Sequence, residues 1–236
     1  MAELNNCGVL MNGKPLSWYG GAALVDYSIG ETPLTVDAFQ GVNRTSWRLL
    51  KSIFGRRTIK ITVVFSGPSL KAAKLQRSKF NGDIFGKTEL FISGDGFFYD
   101  CVCQNLGPEV RIGEGDRDAK IKADYTFVGV RREALETLSV ASGATFYCRS
   151  TMPFTDCKLT ATVGSTGTNY ALGGATFASV TAGDVLVFDG INGKITKNGV
   201  NAAASVSWTD FPQLTPGSNT VTCADAVTVE YFPTFI

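Results

Sequence analysis

Two carboxylates, Asp184 and Asp189, are the residues whose type and spacing first suggest chemistry. Glycoside hydrolysis needs a pair of acidic side chains held on either side of a sugar bond at a defined separation. These two residues stand at the ends of one predicted strand, where a polar side chain that solvates a turn is a sufficient role. We therefore predict that the protein is not an enzyme, and we assign no catalytic residue.

The sequence contains no histidine, which excludes Ser-His and Cys-His couples and His-ligated zinc. The first residues, Met-Ala-Glu-Leu-Asn-Asn, lack the basic and apolar regions of a secretory signal, so we expect folding in a reducing cytoplasm. Cys101 and Cys103 lie two residues apart in a predicted strand, on one face and without the geometry of a disulfide. We predict small buried thiols, with no metal and no cofactor, at Cys7, Cys101, Cys103, Cys148, Cys157 and Cys223.

Four aromatic residues are candidates for binding. Trp208 or Tyr170 could stack on a pyranose ring, although aromatic side chains in small β-sandwiches more often fill the core. For Trp18 and Trp47, a position in the core is the first interpretation and a subunit interface is the second.

Basic residues of a predicted helix could contact phosphates, and these are Lys71, Lys74, Arg77 and Lys79. No aromatic residues are interleaved with them, so a solvated helix face is the favoured interpretation. The chain carries 22 Lys and Arg against 21 Asp and Glu, a formal net charge of +1. We therefore expect no specific nucleic-acid binding. No apolar run approaches the roughly 18 residues of a membrane-spanning helix, so we expect no membrane insertion.

Charge density changes along the chain and predicts two domains. Residues 1–135 carry 18 basic and 14 acidic side chains, whereas residues 136–236 carry 4 and 7. In the first part, residues 57–66 and 119–130 alternate apolar and polar side chains as antiparallel strands do. Between them, Ser69 precedes a predicted helix from Leu70 to Phe80 that ends at Asn81-Gly82.

The second part is typical of strands and turns throughout. Asn192-Gly193 and Asn198-Gly199 are strong hairpin signals because both residue types tolerate positive φ. A strand over residues 184–189 should lead into this hairpin, and alternation over residues 227–232 predicts a closing strand. The fold class is therefore mainly β, with an all-β sandwich at residues 136–236.

Two stretches in this second part form a more specific pattern. They are Gly183–Asn201, with a Gly-Asp strand and an Asn-Gly turn, and Asp210–Val221, with Phe-Pro-Gln-Leu-Thr-Pro-Gly-Ser-Asn. Together they resemble the C-terminal domain of the distal tail protein family of long-tailed bacteriophages, a galectin-like β-sandwich. Gly55–Val63 followed by a short helix is similar to the family's N-terminal split-barrel domain. The two domains use the whole length, so no carbohydrate-binding insertion is expected.

The resemblance implies a structural protein of the virion tail tip or baseplate, made in the cytoplasm of the bacterial host. In the family, a ring of usually six copies joins the tail tube to the hub and the receptor-binding apparatus. Residues 1–135 would form the ring and residues 136–236 would project from it. The implied partners are further copies of the chain, the tail tube protein, the tail hub protein and a receptor-binding protein. Two alternatives stay open: a carbohydrate-binding module that adsorbs to cell-wall polysaccharide, and a tail-tube subunit. The sequence assigns no residue to the oligomer interface.

Overall fold

Strands dominate the computed structural model, which describes residues 8–40, 47–113 and 119–236. The chain divides into two units, Met1–Arg132 together with Ile236, and Glu133–Phe235. The predicted mainly β architecture is confirmed, and no described sheet closes into a barrel. No described helix is long and apolar enough to cross a membrane.

The described part of the first unit contains one α-helix, a short 3-10 helix at Leu16–Tyr19, and strands on both sides of the α-helix. The strands are β1 (Val9–Met11), β2 (Lys14–Pro15), β3 (Gly21–Ile29), β4 (Leu34–Gln40), β5 (Trp47–Phe54), β6 (Arg57–Gly67), β7 (Lys87–Ile92), β8 (Phe97–Leu106), β9 (Val110–Ile112) and β10 (Ala119–Arg132), and the helix is α1 (Leu70–Asp83).

One large antiparallel sheet of this unit has the strand order β2-β1-β7-β8-β10-β6-β3, and β9 also pairs with β10. The central pair, β6 and β10, runs antiparallel in register, with Ile61 opposite Tyr125 and Ile59 opposite Phe127. Alternate residues of both strands are fully buried, which confirms the predicted period of two. This buried face forms the core of the unit.

Helix α1 begins as predicted, because the Ser69 side chain accepts a hydrogen bond from the Ala72 backbone N–H. The predicted end at Asn81-Gly82 is wrong, since the helix continues to Asp83. Tertiary contacts hold its last turn: Tyr125 donates to the Asn81 side chain, and both Lys14 and Tyr19 donate to the Asp83 carboxylate. These long-range bonds outweigh the local preference of Asn-Gly for a turn.

The second unit contains no α-helix and is built from short strands around a short 3-10 helix at Ala203–Ser205. The strands are β11 (Glu136–Val140), β12 (Thr145–Cys148), β13 (Thr155–Thr162), β14 (Gly167–Leu172), β15 (Ala175–Val180), β16 (Val185–Asp189), β17 (Lys194–Lys197), β18 (Val200–Asn201), β19 (Val206–Ser207), β20 (Gln213–Leu214), β21 (Gly217–Thr220), β22 (Val227–Tyr231) and β23 (Thr234–Phe235).

Strands β11 to β22 form three sheets around one apolar core. The largest has the order β11-β22-β13-β16-β17-β18, with β20 also paired to β13, and the others are β14-β15-β19 and β12-β21. Asn198 and Gly199 have φ values of 52° and 77° and connect β17 to β18 in the predicted two-residue turn. Asn192-Gly193 instead closes a longer turn, in which Asp189 pairs with Lys194 and only Gly193 has positive φ.

Candidate assembly interface

The β4–β5 hairpin is separate from the large sheet of the first unit. It forms a separate two-stranded sheet among the described residues. Leu34 lies opposite Phe54 and Val36 lies opposite Ser52, so these four residues share one face. The alternate pairs, including Asp37 opposite Lys51, face the other way. The charged pair therefore lies on one face only, which it shares with Thr35 and Ile53.

The apolar side chains of this hairpin lie open to solvent. Six of them are between 46% and 62% exposed, and these are Leu34, Val36, Phe39, Leu49, Leu50 and Ile53. Leu34 and Val36 lie on one face of the hairpin, whereas Ile53, opposite Thr35, lies on the face of Asp37 and Lys51. Exposed apolar side chains grouped on one element mark an interaction site in a soluble protein. An isolated two-stranded hairpin is also marginally stable in water. No motif in the sequence points to this segment, although Leu34 and Val36 alternate with polar residues there.

A groove lies at the end of the β7–β8 pairing. Strand β7 begins at Lys87, opposite Val102, whereas β8 continues for four more residues to Leu106. The turn after α1 diverges from this end of β8 and leaves a cavity of about 360 Å³. Ile84 is buried in the unit's core, and Phe85, at 92% exposure, lies at the rim.

The lining of this groove carries no charged residue. Burial raises the pKa of the Cys103 thiol, which keeps it neutral at physiological pH. Its Sγ is 3.5 Å from the Asn105 carbonyl oxygen, to which it donates. The groove is therefore an apolar surface with amide groups and a strand edge, and it has none of the charged groups that hold ions.

The basic residues of α1 do not form a free phosphate site. Lys74 and Arg77 both make ion pairs with Glu109, at 2.6 Å and 3.2 Å. Arg77 also donates to the Gly107 carbonyl oxygen at 2.8 Å. Lys71 and Lys79 are exposed. This arrangement agrees with the solvated helix face favoured from the sequence.

The predicted carboxylates Asp184 and Asp189 flank β16, about 17 Å apart at the usual rise per strand residue. That separation exceeds the roughly 5–9.5 Å of glycosidase pairs. Asp184 accepts hydrogen bonds from the Thr181 backbone N–H, the Asn198 amide and the Lys197 ammonium. These contacts lower the pKa of Asp184 to about 2, and the hydrogen bond from Lys197 has the largest effect. Asp189 is buried and accepts two bonds from Asn192. Both carboxylates fix turns.

The two candidates for sugar stacking differ in position. Tyr170 is buried, and its hydroxyl donates to Asp225 at 2.8 Å and contacts the Cys223 sulfur at 3.1 Å, so its ring is part of the core. Trp208 is 38% exposed and packs on Phe211 with ring centroids 4.7 Å apart. Of the two, Trp208 therefore offers the more accessible ring.

The core position expected for Trp18 is wrong. Its side chain is 68% exposed, because it lies in the 3-10 helix Leu16–Tyr19, where Leu16 and Tyr19 take the buried positions. Lys14 Nζ lies 5.9 Å from its ring centroid. The second interpretation, a subunit interface, fits this exposure. The side chain of Trp47 is outside the described part of the structure.

The described cysteines are free thiols, and four of them are buried as predicted, whereas Cys103 is partly exposed. Cys7 lies outside the described residues. Burial raises the pKa values of Cys101 and Cys157 to about 12. Within the described ranges, no three His, Cys, Asp or Glu side chains lie close enough together to hold a metal ion.

Comparisons with known proteins agree with this architecture. Residues 148–235 match the family described as siphovirus-type tail component, C-terminal domain. The crystal structure of the Dit (gp 19.1) protein of phage SPP1, described as a paradigm of the hub adsorption apparatus in phages that infect Gram-positive bacteria, is similar with a TM-score of 0.70. That match has 11% identity and covers 98% of this chain and 99% of the other.

A chain of the phage p2 baseplate, in its activated conformation with Sr, matches with a TM-score of 0.52 and 10% identity, over 90% of each chain. At these identities the structural matches show a shared fold. No curated protein sequence matches the chain.

Proposed function

We propose that this chain belongs to the distal tail protein family, whose C-terminal domain model matches residues 148–235, and that it is a structural component of a phage tail tip or baseplate. We infer further that copies of the chain form a closed ring, of six subunits as in the resembling family. The family match carries the first statement. The exposed β4–β5 hairpin carries the second, because it gives the first unit an apolar surface that nothing in the described chain covers.

Ring formation also agrees with the ends of the large sheet. Its terminal strands are β2 and β3, and β3 is nine residues long. A long terminal strand invites association through its edge unless another chain or element covers it. A ring covers such edges in a fixed number of contacts, because each subunit receives one neighbour on each side.

The proposed partners are further copies of this chain, the tail tube protein on one side and the tail hub protein on the other, with a receptor-binding protein as a further candidate. We propose residues 1–135 as the ring-forming part and residues 136–236 as the part that projects. The place of action is the virion, after synthesis in the host cytoplasm. Free thiols at the described cysteines suit a protein folded in a reducing compartment.

The proposed role involves no catalysis. The acidic residues considered for glycoside hydrolysis are engaged in turns at opposite ends of β16, and each carboxylate has its own hydrogen-bond donors. A purely structural role accounts for both residues.

The first experiment measures the solution mass of the purified protein by light scattering over a concentration series, alone and with the tail tube and hub proteins of the same phage. Six chains of 25.2 kDa give about 150 kDa. Electron micrographs of the same samples separate single rings from long tubes. Rings support the proposal, and tubes favour the tail-tube alternative. A monomer at micromolar concentration, even with both partners present, contradicts it.

A matched pair of variants tests the role of the hairpin. Val36→Asp places a charge on its apolar face, and Leu75→Asp places the same charge on an exposed apolar position of α1. We expect the first variant to remain monomeric and the second to assemble. Equal assembly by both variants would show that the hairpin does not form the interface.

The carbohydrate-binding alternative depends on Trp208, whose ring is partly exposed. Glycan-array binding by the full chain, with loss of binding in Trp208→Ala, would favour that alternative. The proposed function predicts no such binding.

A further inference from the structure

The groove beside α1 contains an open strand edge. Cys103, Asn105 and Leu106 pair with β10 on one side, with a register shift at Gln104, whereas no described strand pairs with this segment on the side where β7 has ended. A strand with one free edge presents backbone N–H and C=O groups that can pair with an added strand. The groove therefore has the main feature of a β-augmentation site.

Apolar side chains flank this edge. Val102 and Leu106 are 36% and 49% exposed on β8, and Phe85 projects from the turn after α1. Gly86, with φ of 92°, makes this turn possible, since an L side chain rarely adopts that conformation. A large aromatic side chain almost fully in water at a tight turn is poised to be buried by a partner.

We propose that this groove binds the β4–β5 hairpin of a second copy of the chain, with one hairpin strand added to the free edge of β8 at Cys103–Leu106. The inference rests on the proposed ring and deepens it by assigning the receiving surface. The apolar hairpin face, with Leu34 and Val36, covers Phe85 and Leu106 of the neighbour.

Charge and surface chemistry favour this occupant. The groove lining carries no charged residue, so a charged segment would lose its hydration there without gaining a counter-ion. The hairpin face formed by Leu34, Phe54, Val36 and Ser52 is also uncharged. Its strands have outer edges with no partner among the described strands, so they can donate and accept the backbone hydrogen bonds that the edge of β8 offers.

The geometry of such a contact leads to a ring. The hairpin and the groove are different surfaces of the same unit, so each copy offers one and receives the other. A contact between two different surfaces is heterologous, and it closes into a ring when the rotation between neighbours divides a full turn. The contact also covers two aggregation-prone surfaces, the exposed hairpin of one copy and the free edge of β8 of its neighbour.

Photo-crosslinking of the full chain tests the assignment. A benzophenone amino acid replaces Val36 on the apolar face or, as the matched control, Lys51 on the opposite face. The irradiated assembly is made from isotopically light and heavy chains and is mapped by mass spectrometry. We expect position 36 to crosslink to residues 84–86 or 102–106 of another copy, and position 51 to give no crosslink there.

Two other outcomes overturn the inference. Crosslinks from position 36 to a different surface of an intact ring would rule out the groove as the receiving surface but leave the proposed function unaffected. Crosslinks that join only residues of the same copy would have the same consequence. A chain that stays monomeric with its tail partners present would contradict the proposed ring as well, so the two failures are distinguishable.

A second variant tests the same contact without a probe. Phe85→Ser removes an exposed side chain that makes no contribution to the core, so the fold should remain intact. We expect subunit association to weaken by roughly tenfold to a hundredfold. The control is Leu75→Ser, which removes an exposed apolar side chain of α1 outside the groove lining. Equal association by both variants would overturn the inference.

Discussion

Phe80 joins helix α1 to the sheet, and replacing it tests whether the helix is held as described. Its side chain is fully buried. It makes edge-to-face contacts with Tyr19, Phe65 and Tyr125, at ring-centroid distances of 5.2, 5.6 and 4.9 Å. Phe80→Ala removes one ring from a cluster of four and leaves a cavity between α1 and the sheet. A buried Phe→Ala change costs about 3–5 kcal/mol, and the three aromatic contacts place this one near 4 kcal/mol.

Hydrogen exchange followed by mass spectrometry measures the loss of unfolding free energy in Phe80→Ala separately for each of the two units. Backbone amides of β6 and β10 report on the first unit, and those of β13 and β22 serve as the internal reference in the second. We expect faster exchange in the first unit, corresponding to about 4 kcal/mol, with little change in the second. The control is Leu75→Ala, on the same helix but 55% exposed, with an expected loss below about 1 kcal/mol. A loss of less than about 1 kcal/mol for Phe80→Ala would refute the packing argument.

Three further predictions concern single groups. Gly129→Ala places a Cβ 2.5 Å from the Cys101 Cβ and 2.6 Å from the Asp100 carbonyl oxygen, so we expect a loss of about 1–3 kcal/mol in urea unfolding, whereas Gly167→Ala meets no atom within 4 Å and should be tolerated. Asp184 has a pKa lowered to about 2 by its contact with Lys197, so its contribution to stability is complete above the ordinary Asp pKa and disappears as the pH falls through 2. Thermal melts should therefore show Asp184→Asn less stable than the parent at pH 7, with a difference that shrinks as the pH falls from the ordinary Asp pKa toward 2; a difference that stays constant down to pH 2 would contradict the assignment. Cys101 and Cys157, with pKa values raised to about 12, should resist iodoacetamide at pH 8 in the folded protein and react after unfolding in urea, and native-state labelling would disprove their burial.

Local patterns in the sequence predicted the regular elements well. The alternation along residues 57–66 and 119–130 defined β6 and β10, because one face of each strand is buried and the other is not. Asn198-Gly199 predicted a two-residue turn, since both residues adopt positive φ there. In each case the signal and its physical cause lie within a few residues of each other.

Long-range contacts were beyond the reach of such patterns. The end of α1 depends on Lys14 and Tyr19, which lie more than 60 residues away in the chain, and no local signal near Asn81-Gly82 reports them. Residue type predicts a core position for Trp18, whereas the short 3-10 helix turns its side chain outward and buries Leu16 and Tyr19 instead. The groove is harder still to foresee, because it exists where two paired strands have unequal lengths.

Strand β8 shows how one element can serve both folding and assembly. Its first half pairs on both sides and carries buried Tyr99 and Cys101, so it belongs to the stable part of the sheet. Its last four residues keep the β10 partner and lose β7, which leaves an edge that the fold itself holds extended. An edge that is already ordered loses little conformational entropy when a neighbour's strand is added to it. A receiving edge that is already paired on one side and an exposed hairpin on the same unit therefore favour defined subunit contacts over uncontrolled aggregation.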